Sequence, residues 1–254
     1  MDEHLIDQAR ALVEAASAIT VLTGAGISTD SGIPDFRGPK GLWTKDPEAE
    51  KASNIRFYVS DPEVRKRNWA RRAAGELWAD VGPNRGHAAL VHLEKRGKLH
   101  ALITQNVDEL HQMAGNDPAR VIEIHGTTRR VQCLQCSYRT AMDEVLDRVR
   151  AGEEDPPCPA CGGLLKSATI SFGQNLDQDD LAAAERAALE CDLFVAVGTS
   201  LAVFPINQTV PLAIDGGASA IIVNAEPTAF DAVVDVVLQE SISDVLPMIF
   251  GQDL

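Results

Sequence analysis

Residues 18–26 read Ala-Ile-Thr-Val-Leu-Thr-Gly-Ala-Gly, a strand-sized apolar run that ends in a Gly-x-Gly turn. Comparable apolar runs recur along the chain at 99–104, 121–124, 193–197, 220–223 and 233–238. Helical patterns lie between them at 4–16, at 107–113, at 178–190, from about Pro205 and from Ser241. Apolar strands that alternate with helices predict an α/β fold, a Rossmann-like parallel sheet with helices on both faces.

Two segments interrupt this alternation. Between 39 and 83 aromatic residues are scattered among charges and prolines, and between 127 and 167 lie four of the five cysteines. We expect the segments 39–83 and 127–167 to form a smaller inserted zinc-binding lobe. The Rossmann-like domain would then comprise 1–38, 84–126 and 168–254.

The composition excludes several functional classes. The chain has 254 residues, 45% of them hydrophobic and 24% charged, with a net charge of −14, which is typical of a folded globular protein. No apolar run approaches the length of about 18 residues that a membrane helix needs, and the start lacks the features of a signal peptide. We therefore expect a cytoplasmic protein that binds neither membranes nor nucleic acid, whose phosphates attract a basic surface.

Four cysteines stand in two Cys-x-x-Cys pairs, Cys133 with Cys136 and Cys158 with Cys161. In a chain without a secretory signal, this spacing predicts one Zn²⁺ bound by four thiolates. A four-sulfur site has no open position, so the zinc would be structural. Chance occurrence and a redox dithiol are the alternatives. Cys191 stands apart and is predicted to be a small buried residue.

Ligands of such sheets bind beyond the carboxyl ends of the strands. The segments at these ends are 24–28, 105–108, 198–200 and 224–226. The backbone N–H groups of the first, glycine-rich turn could meet a diphosphate. The third glycine of the dinucleotide fingerprint is replaced by Thr29, however, and an ordinary strand–helix turn fits the pattern equally well.

Longer motifs resemble those of one known family. Residues 24–38 read Gly-Ala-Gly-Ile-Ser-Thr-Asp-Ser-Gly-Ile-Pro-Asp-Phe-Arg-Gly, and further motifs follow at 104–111, 125–126, 172–173, 198–201 and 223–226. In this order they resemble the sirtuins, of bacterial type, over about residues 18–247. The stretch 67–71, Arg-Asn-Trp-Ala-Arg, is similar to the class II (mitochondrial-type) sirtuins.

The resemblance implies an NAD-dependent protein-lysine deacylase, with deacetylation as the default. In sirtuins the acyl oxygen attacks the ribose carbon that bears nicotinamide, nicotinamide is released, and the acyl group ends on ADP-ribose. By matching position His125 would be the general base, since histidine takes up protons near neutral pH. Asn106 and Asp108 would line the nicotinamide and ribose pocket as further catalytic residues.

The same resemblance implies the residues that bind the substrates. The NAD-binding set is Gly24, Ala25, Gly26, Ile27, Ile33, Asp35, Phe36, Arg37, Gln105, Asn106, Asp108, His125, Gly198, Thr199, Ser200, Asn224, Glu226 and Ile242. The acyl-peptide would lie between the two lobes and contact Trp69, Arg72, Ser171, Phe172, Gly173, Gln174 and Val203.

The peptide set departs from the family pattern in three places. Gln174 stands where Glu is usual, and Ser171 where an aromatic residue or Val is usual. Trp69 and Arg72 match the spacing of a Tyr–Arg pair that holds acidic acyl chains in desuccinylating members. Trp69 lacks the phenol and fits equally well as a packing residue of the small lobe.

Several rival functions stay open on the sequence. A protein mono-ADP-ribosyltransferase or a deacylase for longer or acidic acyl chains would use the same NAD site. A catalytically weak NAD sensor or scaffold is the rival from another class. An NAD-linked oxidoreductase lacks a complete fingerprint, and a zinc-ribbon nucleic-acid module is at odds with the charge of −14. The expected partners are acyl-lysine proteins or peptides, NAD as co-substrate and one structural Zn²⁺ per chain.

Overall fold

The computed structural model describes residues 2–35, 53–75 and 81–251. Two of the predicted NAD-binding residues, Phe36 and Arg37, lie outside the described residues. The chain divides into two units, each made of separate segments. Unit 1 comprises Met1–Asp35, Gly82–Ile124 and Asp177–Leu254, and unit 2 comprises Phe36–Val81 and His125–Leu176.

The secondary structure of the described residues alternates between strands and helices. The strands are β1 (Ile19–Thr23), β2 (Leu99–Thr104), β3 (Val121–Glu123), β4 (Gly126–Cys133), β5 (Arg139–Ala141), β6 (Leu165–Thr169), β7 (Leu193–Val197), β8 (Ser219–Val223) and β9 (Val236–Leu238). The α-helices are α1 (Glu3–Ala15), α2 (Ile55–Ser60), α3 (Pro62–Ala73), α4 (Arg85–Lys95), α5 (Leu110–Ala114), α6 (Met142–Arg150), α7 (Gln178–Glu190), α8 (Thr209–Asp215) and α9 (Ile242–Phe250). Short 3₁₀ segments cover Ala25–Ser31, Pro118–Arg120 and Ile206–Gln208.

The sheet of unit 1 is parallel throughout, with the strand order β3-β2-β1-β7-β8-β9. Numbered within this sheet alone, the order is 3-2-1-4-5-6, which is the doubly wound Rossmann order. The order reverses between β1 and β7, where Ile19 pairs with Leu193 and Thr23 with Val197. The predicted fold class is confirmed, and the reversal marks the place where ligands of such sheets bind.

Burial explains why the central strands are apolar without alternation. All five residues of β1 and of β7 are buried, because helices cover both faces of the sheet. On one face Val21 packs in a cluster with Leu90 of α4 and Leu246 of α9. On the opposite face the hydroxyl of Thr20 donates to the carbonyl of Ala187 in α7 at 2.8 Å.

Two helices of unit 1 differ from the sequence prediction. α4 has no counterpart among the predicted helices. Asn84 caps it by accepting hydrogen bonds from the N–H groups of the first turn, and Nδ1 of His87 accepts from the N–H of Asn84 in return. α5 begins at Leu110, later than the predicted residue 107. The reason is that Glu109 has a φ of 59° and the carboxylate of Asp108 accepts from the N–H of Leu110.

Two elements near the carboxyl end of unit 1 are shorter than predicted. α8 begins at Thr209, because the turn after Pro205 first forms the 3₁₀ segment Ile206–Gln208. β9 covers only the last part of the predicted strand 233–238. The N–H of Val233 donates to the carbonyl of Phe230 at 3.0 Å, so this part of the chain forms a turn.

Unit 2 holds an antiparallel sheet of order β5-β4-β6. Val131 of β4 and Leu165 of β6 share one buried cluster with Trp69 of α3 and residues of α6. Cys133 and Cys158 lie in the same cluster, so predicted metal ligands are part of the core of this unit. Among the helices of the described residues, none has both the length and the apolar character needed to cross a membrane.

Candidate functional site

Two glycine turns meet where the strand order reverses. The turn after β1 carries Gly24 and Gly26, and the turn after β7 carries Gly198. The N–H of Gly26 donates to the carbonyl of Gly198 at 2.8 Å, and the N–H of Gly24 to that of Val197 at 2.9 Å. A Cβ on Gly26 would lie 2.6 Å from the Cα of Gly198. The N–H of Gly26 is therefore occupied, and the glycines serve the close approach of the two turns.

A hydrogen-bond network joins the turn after β1 to the turn after β2. The side-chain amide of Asn106 donates from Nδ2 to the carbonyl of Gly24 and to Oγ of Ser28, both at 3.1 Å. The hydroxyl of Ser28 in turn donates to Oδ2 of Asp108 at 2.8 Å. Asn106 is only 7% exposed. The two predicted catalytic residues of unit 1 are thus brought together through Ser28, a residue that the sequence prediction did not assign to the site.

Burial determines the electrostatics of this edge of the sheet. Burial raises the pKa of Asp108, and this effect outweighs the hydrogen bonds that the N–H of Leu110 and the hydroxyl of Ser28 donate to the carboxylate. Burial also raises the pKa of Glu123 at the end of β3 to about 7, with a further contribution from the neighbouring Glu109. These two carboxyl groups therefore hold a proton more tightly than they would in water.

Gln105 and Thr199 connect the turn after β2 to the turn after β7. Nε2 of Gln105 donates to Oγ1 of Thr199 at 2.9 Å, and the same oxygen accepts from the N–H of Leu201 at 3.2 Å. Ser200 follows as an exposed residue. Three of the predicted NAD-binding segments therefore contact one another at the carboxyl edge of the sheet.

The remaining predicted NAD-binding residues of the first segment lie along the 3₁₀ segment and just after it. Ala25 and Ile27 are within the 3₁₀ segment, where Ile27 is buried. Ile33 is buried beyond its end, and Asp35 is half-buried.

The last of the predicted NAD-binding residues, Asn224, Glu226 and Ile242, lie after β8 and at the start of α9. Nδ2 of Asn224 donates to the carbonyl of Glu226 at 2.7 Å, which closes the turn after β8, and Glu226 is exposed. Ile242 begins α9 and packs towards the first turn of α4, since its Cγ2 would lie 3.2 Å from a Cβ on Gly86. Ile242 is half-buried.

The predicted general base and most of the predicted peptide residues lie in unit 2. The carbonyl of His125 accepts from the N–H of Ile170 at 2.7 Å, and His125 is half-buried. Both backbone groups of Phe172 are paired, because its N–H donates to the carbonyl of Ser53 at 2.9 Å and its carbonyl accepts from the N–H of Ile55 at 3.0 Å.

Ser171 and Gln174 close a turn around Gly173, whose φ is 82°. The N–H of Gln174 donates to the carbonyl of Ser171 at 2.9 Å, and Oε1 of Gln174 accepts from the N–H of Ser171 at 2.8 Å. A Glu at position 174 would offer the same kind of acceptor oxygen. Gln174, although it departs from the family pattern, therefore forms the turn that a Glu could also form. Val203 belongs to unit 1, where its carbonyl accepts from the N–H of Asn207 at 3.1 Å.

Trp69 and Arg72 occupy different environments in unit 2. Trp69 is 1% exposed within the core cluster, as its alternative interpretation as a packing residue predicts, and its contact with a substrate stays a prediction. Nη2 of Arg72 donates to Oγ of Ser167 at 3.2 Å. Burial lowers the pKa of Arg72 and that of Lys166, the latter to about 7. Nζ of Lys166 donates to the carbonyl of Thr169 at 2.6 Å.

The four paired cysteines converge in unit 2. Their sulfur atoms all lie within 4.8 Å of one another, with Cys133 and Cys161 at 3.6 Å and Cys136 and Cys158 at 3.7 Å. Burial raises the pKa of the Cys133 thiol, but hydrogen bonds from the N–H of Gln135 and from Cys161 outweigh it and lower the pKa to about 7. Bond lengths of about 2.3 Å in a tetrahedral site separate the sulfurs by about 3.8 Å. The cluster therefore fits the predicted structural zinc site.

Sequence reasoning missed several polar residues that support the site. Asn84 is one of them, since its Nδ2 donates to the carbonyl of Ile27 at 2.7 Å and to Oγ of Ser31 at 3.0 Å. An Asn before a helix is a capping signal, so the cap of α4 could have been found. The contact with Ile27 depends on tertiary structure and has no signal in the sequence.

Comparison with known proteins agrees with this geometry. The Sir2 family profile matches residues 24–205. "NAD-dependent protein deacetylase 2" of Streptomyces coelicolor is 49% identical over 230 residues, which cover 90% of this chain and 95% of that protein. "NAD-dependent protein deacetylase" of Rhodopseudomonas palustris is 41% identical over 249 residues, which cover 97% of this chain and 96% of that protein.

Solved structures that are similar to this chain are also Sir2 structures. A structure described as the basis for the mechanism and regulation of Sir2 enzymes has a TM-score of 0.86 at 38% identity and covers 99% of this chain and 98% of its own. A complex of Sir2 with a p53 peptide and NAD⁺ has a TM-score of 0.83 at 30% identity, with coverage of 99% and 98%. The predicted similarity to class II members is not tested by these comparisons and stays a prediction. The chain belongs to the Sir2 family, the sirtuins.

Proposed function

We propose that this chain is an NAD-dependent protein-lysine deacylase, with deacetylation as its main activity, that releases nicotinamide and O-acyl-ADP-ribose. The observation that carries the proposal is the network of Asn106, Ser28 and Asp108 beside the reversal point of the sheet. The names of the two relatives, both called NAD-dependent protein deacetylases, support it.

Asn106 and Asp108 are proposed to hold the nicotinamide and ribose of NAD. As co-substrate, NAD supplies the ribose carbon that receives the acyl oxygen. Both N–H bonds of the Asn106 amide are used by Gly24 and Ser28, so its oxygen is the atom that would accept a hydrogen bond from the substrate. Ser28 fixes the carboxylate of Asp108 in place at 2.8 Å, which prepares both groups before the substrate arrives.

His125 is proposed to be the general base that takes a proton from a ribose hydroxyl. A histidine suits this step because its ordinary pKa lies near neutral pH. The Gly-rich turns and the residues at 105–108, 198–200 and 224–226 are proposed to bind NAD. Ser171–Gln174, Val203 and Arg72 are proposed to contact the acyl-lysine peptide.

The organisation into domains and the cellular location are also proposals. Unit 1 would be the NAD-binding domain and unit 2 the small lobe that the zinc stabilises. A cytoplasmic location is supported by the cysteine cluster, since thiols placed for a metal persist in a reducing compartment, whereas an oxidising one favours disulfides. The partners would be acyl-lysine proteins.

The test is to incubate the purified chain with NAD⁺ labelled on its adenosine part and an acetyl-lysine peptide. We expect equal amounts of free nicotinamide, deacetylated peptide and labelled acetyl-ADP-ribose, each dependent on the peptide. His125→Ala should reduce turnover by at least about 100-fold, the lower end of the range for general-base catalysis.

The rival functions give different products in the same experiment. Label that stays on protein with no deacetylated peptide would identify an ADP-ribosyltransferase. Binding of NAD⁺ without any turnover would identify a sensor or scaffold, and formation of NADH an oxidoreductase. A panel of acetyl, longer and acidic acyl-lysine peptides would establish the preferred acyl chain.

A further inference from the structure

A second chain of hydrogen bonds reaches Asn106 from the protein interior. Thr23 and Thr104 are register partners at the ends of β1 and β2, and the hydroxyl of Thr23 donates to Oγ1 of Thr104 at 2.9 Å. Oγ1 of Thr104 also accepts from the backbone N–H of Asn106 at 3.1 Å. On the other side, Oγ1 of Thr23 lies 2.9 Å from Nε2 of His111 in α5. All three of these side chains are buried.

The direction of the hydrogen bonds determines the tautomer of His111. A threonine hydroxyl has one proton, and that of Thr23 is donated to Thr104. Nε2 of His111 must therefore carry the proton that Thr23 accepts. Nδ1 of His111 is then a bare acceptor, which agrees with its having no hydrogen-bond partner among the described residues. A second proton would place an unpaired charged donor in the interior, so the ring is neutral.

The neighbouring His87 favours the same protonation state. The rings of His87 and His111 have centroids 4.9 Å apart. Burial lowers the pKa of His87 to about 4, and it lowers that of His111 well below its ordinary value, with a smaller contribution from His87. Both rings therefore stay neutral over the physiological pH range, and the donor at Nε2 of His111 is permanent.

We propose that His111 is a positioning residue for the reaction, which holds Asn106 in place through the hydroxyls of Thr23 and Thr104. The inference rests on the proposed role of Asn106 in binding NAD. Asn106 is anchored at two points, since its backbone N–H binds Thr104 and its side chain binds Gly24 and Ser28. Loss of the backbone anchor would let the residue shift while its side-chain bonds remain.

The first test removes one hydroxyl without changing the shape of the side chain. Thr23→Val breaks the chain of bonds between His111 and Thr104. Thr20→Val is the matched control, because Thr20 is equally buried on the same strand but its hydroxyl binds Ala187 on the opposite face. We expect Thr23→Val to lower kcat about tenfold, since displacements of about 1 Å near the reacting groups cost up to about 100-fold. The KM for peptide should stay within twofold, and Thr20→Val should keep both parameters.

The second test uses hydrogen exchange, which does not require activity. Segment 105–109 should exchange its amide protons at least about tenfold faster in Thr23→Val than in the wild type or in Thr20→Val. Hydrogen exchange therefore tests the positioning role of His111 independently of the proposed deacylase function. A wild-type chain without NAD-dependent deacetylation would refute the proposed function, whereas unchanged exchange at 105–109 would refute the positioning role.

A third test compares two replacements of His111. His111→Gln keeps a neutral side-chain donor, and His111→Leu removes it. We expect His111→Gln to retain at least about fivefold more kcat than His111→Leu, and Thr23→Val to have no further effect in the His111→Leu background, as coupled residues show. Equal activity of the two His111 variants, additive losses in the double variant or a loss of kcat shared by Thr20→Val would overturn the proposal.

Discussion

Gly26 and Gly198 meet backbone to backbone, and neither position has room for a side chain. The N–H of Gly26 donates to the carbonyl of Gly198 at 2.8 Å, and a Cβ on Gly198 would lie 2.5 Å from the backbone nitrogen of Ile27. The contact joins the turns of the two central strands, so a change at one turn is transmitted directly to the other.

A Gly198→Ala variant should therefore lose NAD binding. The new Cβ would meet backbone atoms that cannot move aside, and the φ of 60° adds strain. Gly217→Ala is the matched control, because Gly217 also has a positive φ, 94°, but no described atom lies within 4 Å of its Cβ position. We expect Gly217→Ala to cost about 1 kcal/mol of stability and to bind NAD⁺ normally in calorimetry. NAD⁺ affinity within threefold of the wild type for Gly198→Ala would contradict this interpretation.

Substitutions of Asn84 should distinguish its role as the cap of α4 from its support of the turn after β1. Asn84→Ser keeps a cap for α4 but loses the donor that reaches Ile27 and Ser31, so the KM for NAD⁺ should rise about tenfold with little further loss of stability. Asn84→Ala loses both functions, with about 1 kcal/mol of additional destabilisation. The same serine replacement at Asn54, which caps α2 in unit 2, is the control and should leave the KM for NAD⁺ unchanged.

The cysteine cluster predicts one Zn²⁺ per chain, measurable by atomic absorption. Cys158→Ser should abolish bound zinc and unfold unit 2, because structural zinc sites contribute on the order of 10 kcal/mol to folding. Cys191→Ser is the control, since the thiol of this buried cysteine donates to the carbonyl of Ala188 at 3.2 Å and a serine hydroxyl can do the same. Retention of full zinc content by Cys158→Ser would contradict the four-thiolate site.

Glu123 should make the stability of unit 1 depend on pH. Its pKa in the folded state is about 7, above the ordinary value of 4.5, so the folded state binds the proton more tightly than the unfolded state. The unfolding free energy therefore decreases as the pH rises from about 4.5 to about 7. Glu123→Gln should remove this penalty and be more stable than the wild type above pH 7, by on the order of 1 kcal/mol, because solvent screens a partly exposed group.

Denaturant titrations across this pH range provide the measurement. The difference between Glu123→Gln and the wild type should be small at pH 4 and grow until about pH 7. Glu185→Gln, a change at an exposed carboxylate on α7, is the control for the loss of one negative charge from the same unit. A difference between Glu123→Gln and the wild type that stays constant with pH would mean that burial does not control Glu123.

The elements that the sequence predicts well are those with a strong local pattern. β1 and β7 are runs of five buried residues. The two Cys-x-x-Cys pairs indicate a metal site by their spacing. α4 was not predicted from the sequence, because polar residues interrupt its apolar stripe. One of these polar residues, His87, is nevertheless fully buried in the structure.

The supporting contacts of the site are harder to predict because they depend on register and packing. Nothing local in Thr23 or Thr104 indicates that their hydroxyls meet, since the pairing of β1 with β2 joins residues far apart in the chain. His111 lies within a family motif, but its contact with Thr23 also arises only when α5 packs against the strand ends. Sequence motifs therefore predict candidate site residues, but they carry little signal for the residues that hold those candidates in position.

The central place of β1 has a consequence for synthesis of the protein. β1 is translated before its partner β7, which follows about 170 residues later, with Ile19 opposite Leu193. At ribosomal rates of about 5–20 residues per second, this interval lasts roughly 10–35 s. During that time the apolar strand β1 has at least one unpaired edge and is open to contacts with other nascent chains. A chaperone that covers β1 during this interval should therefore raise the yield of folded protein.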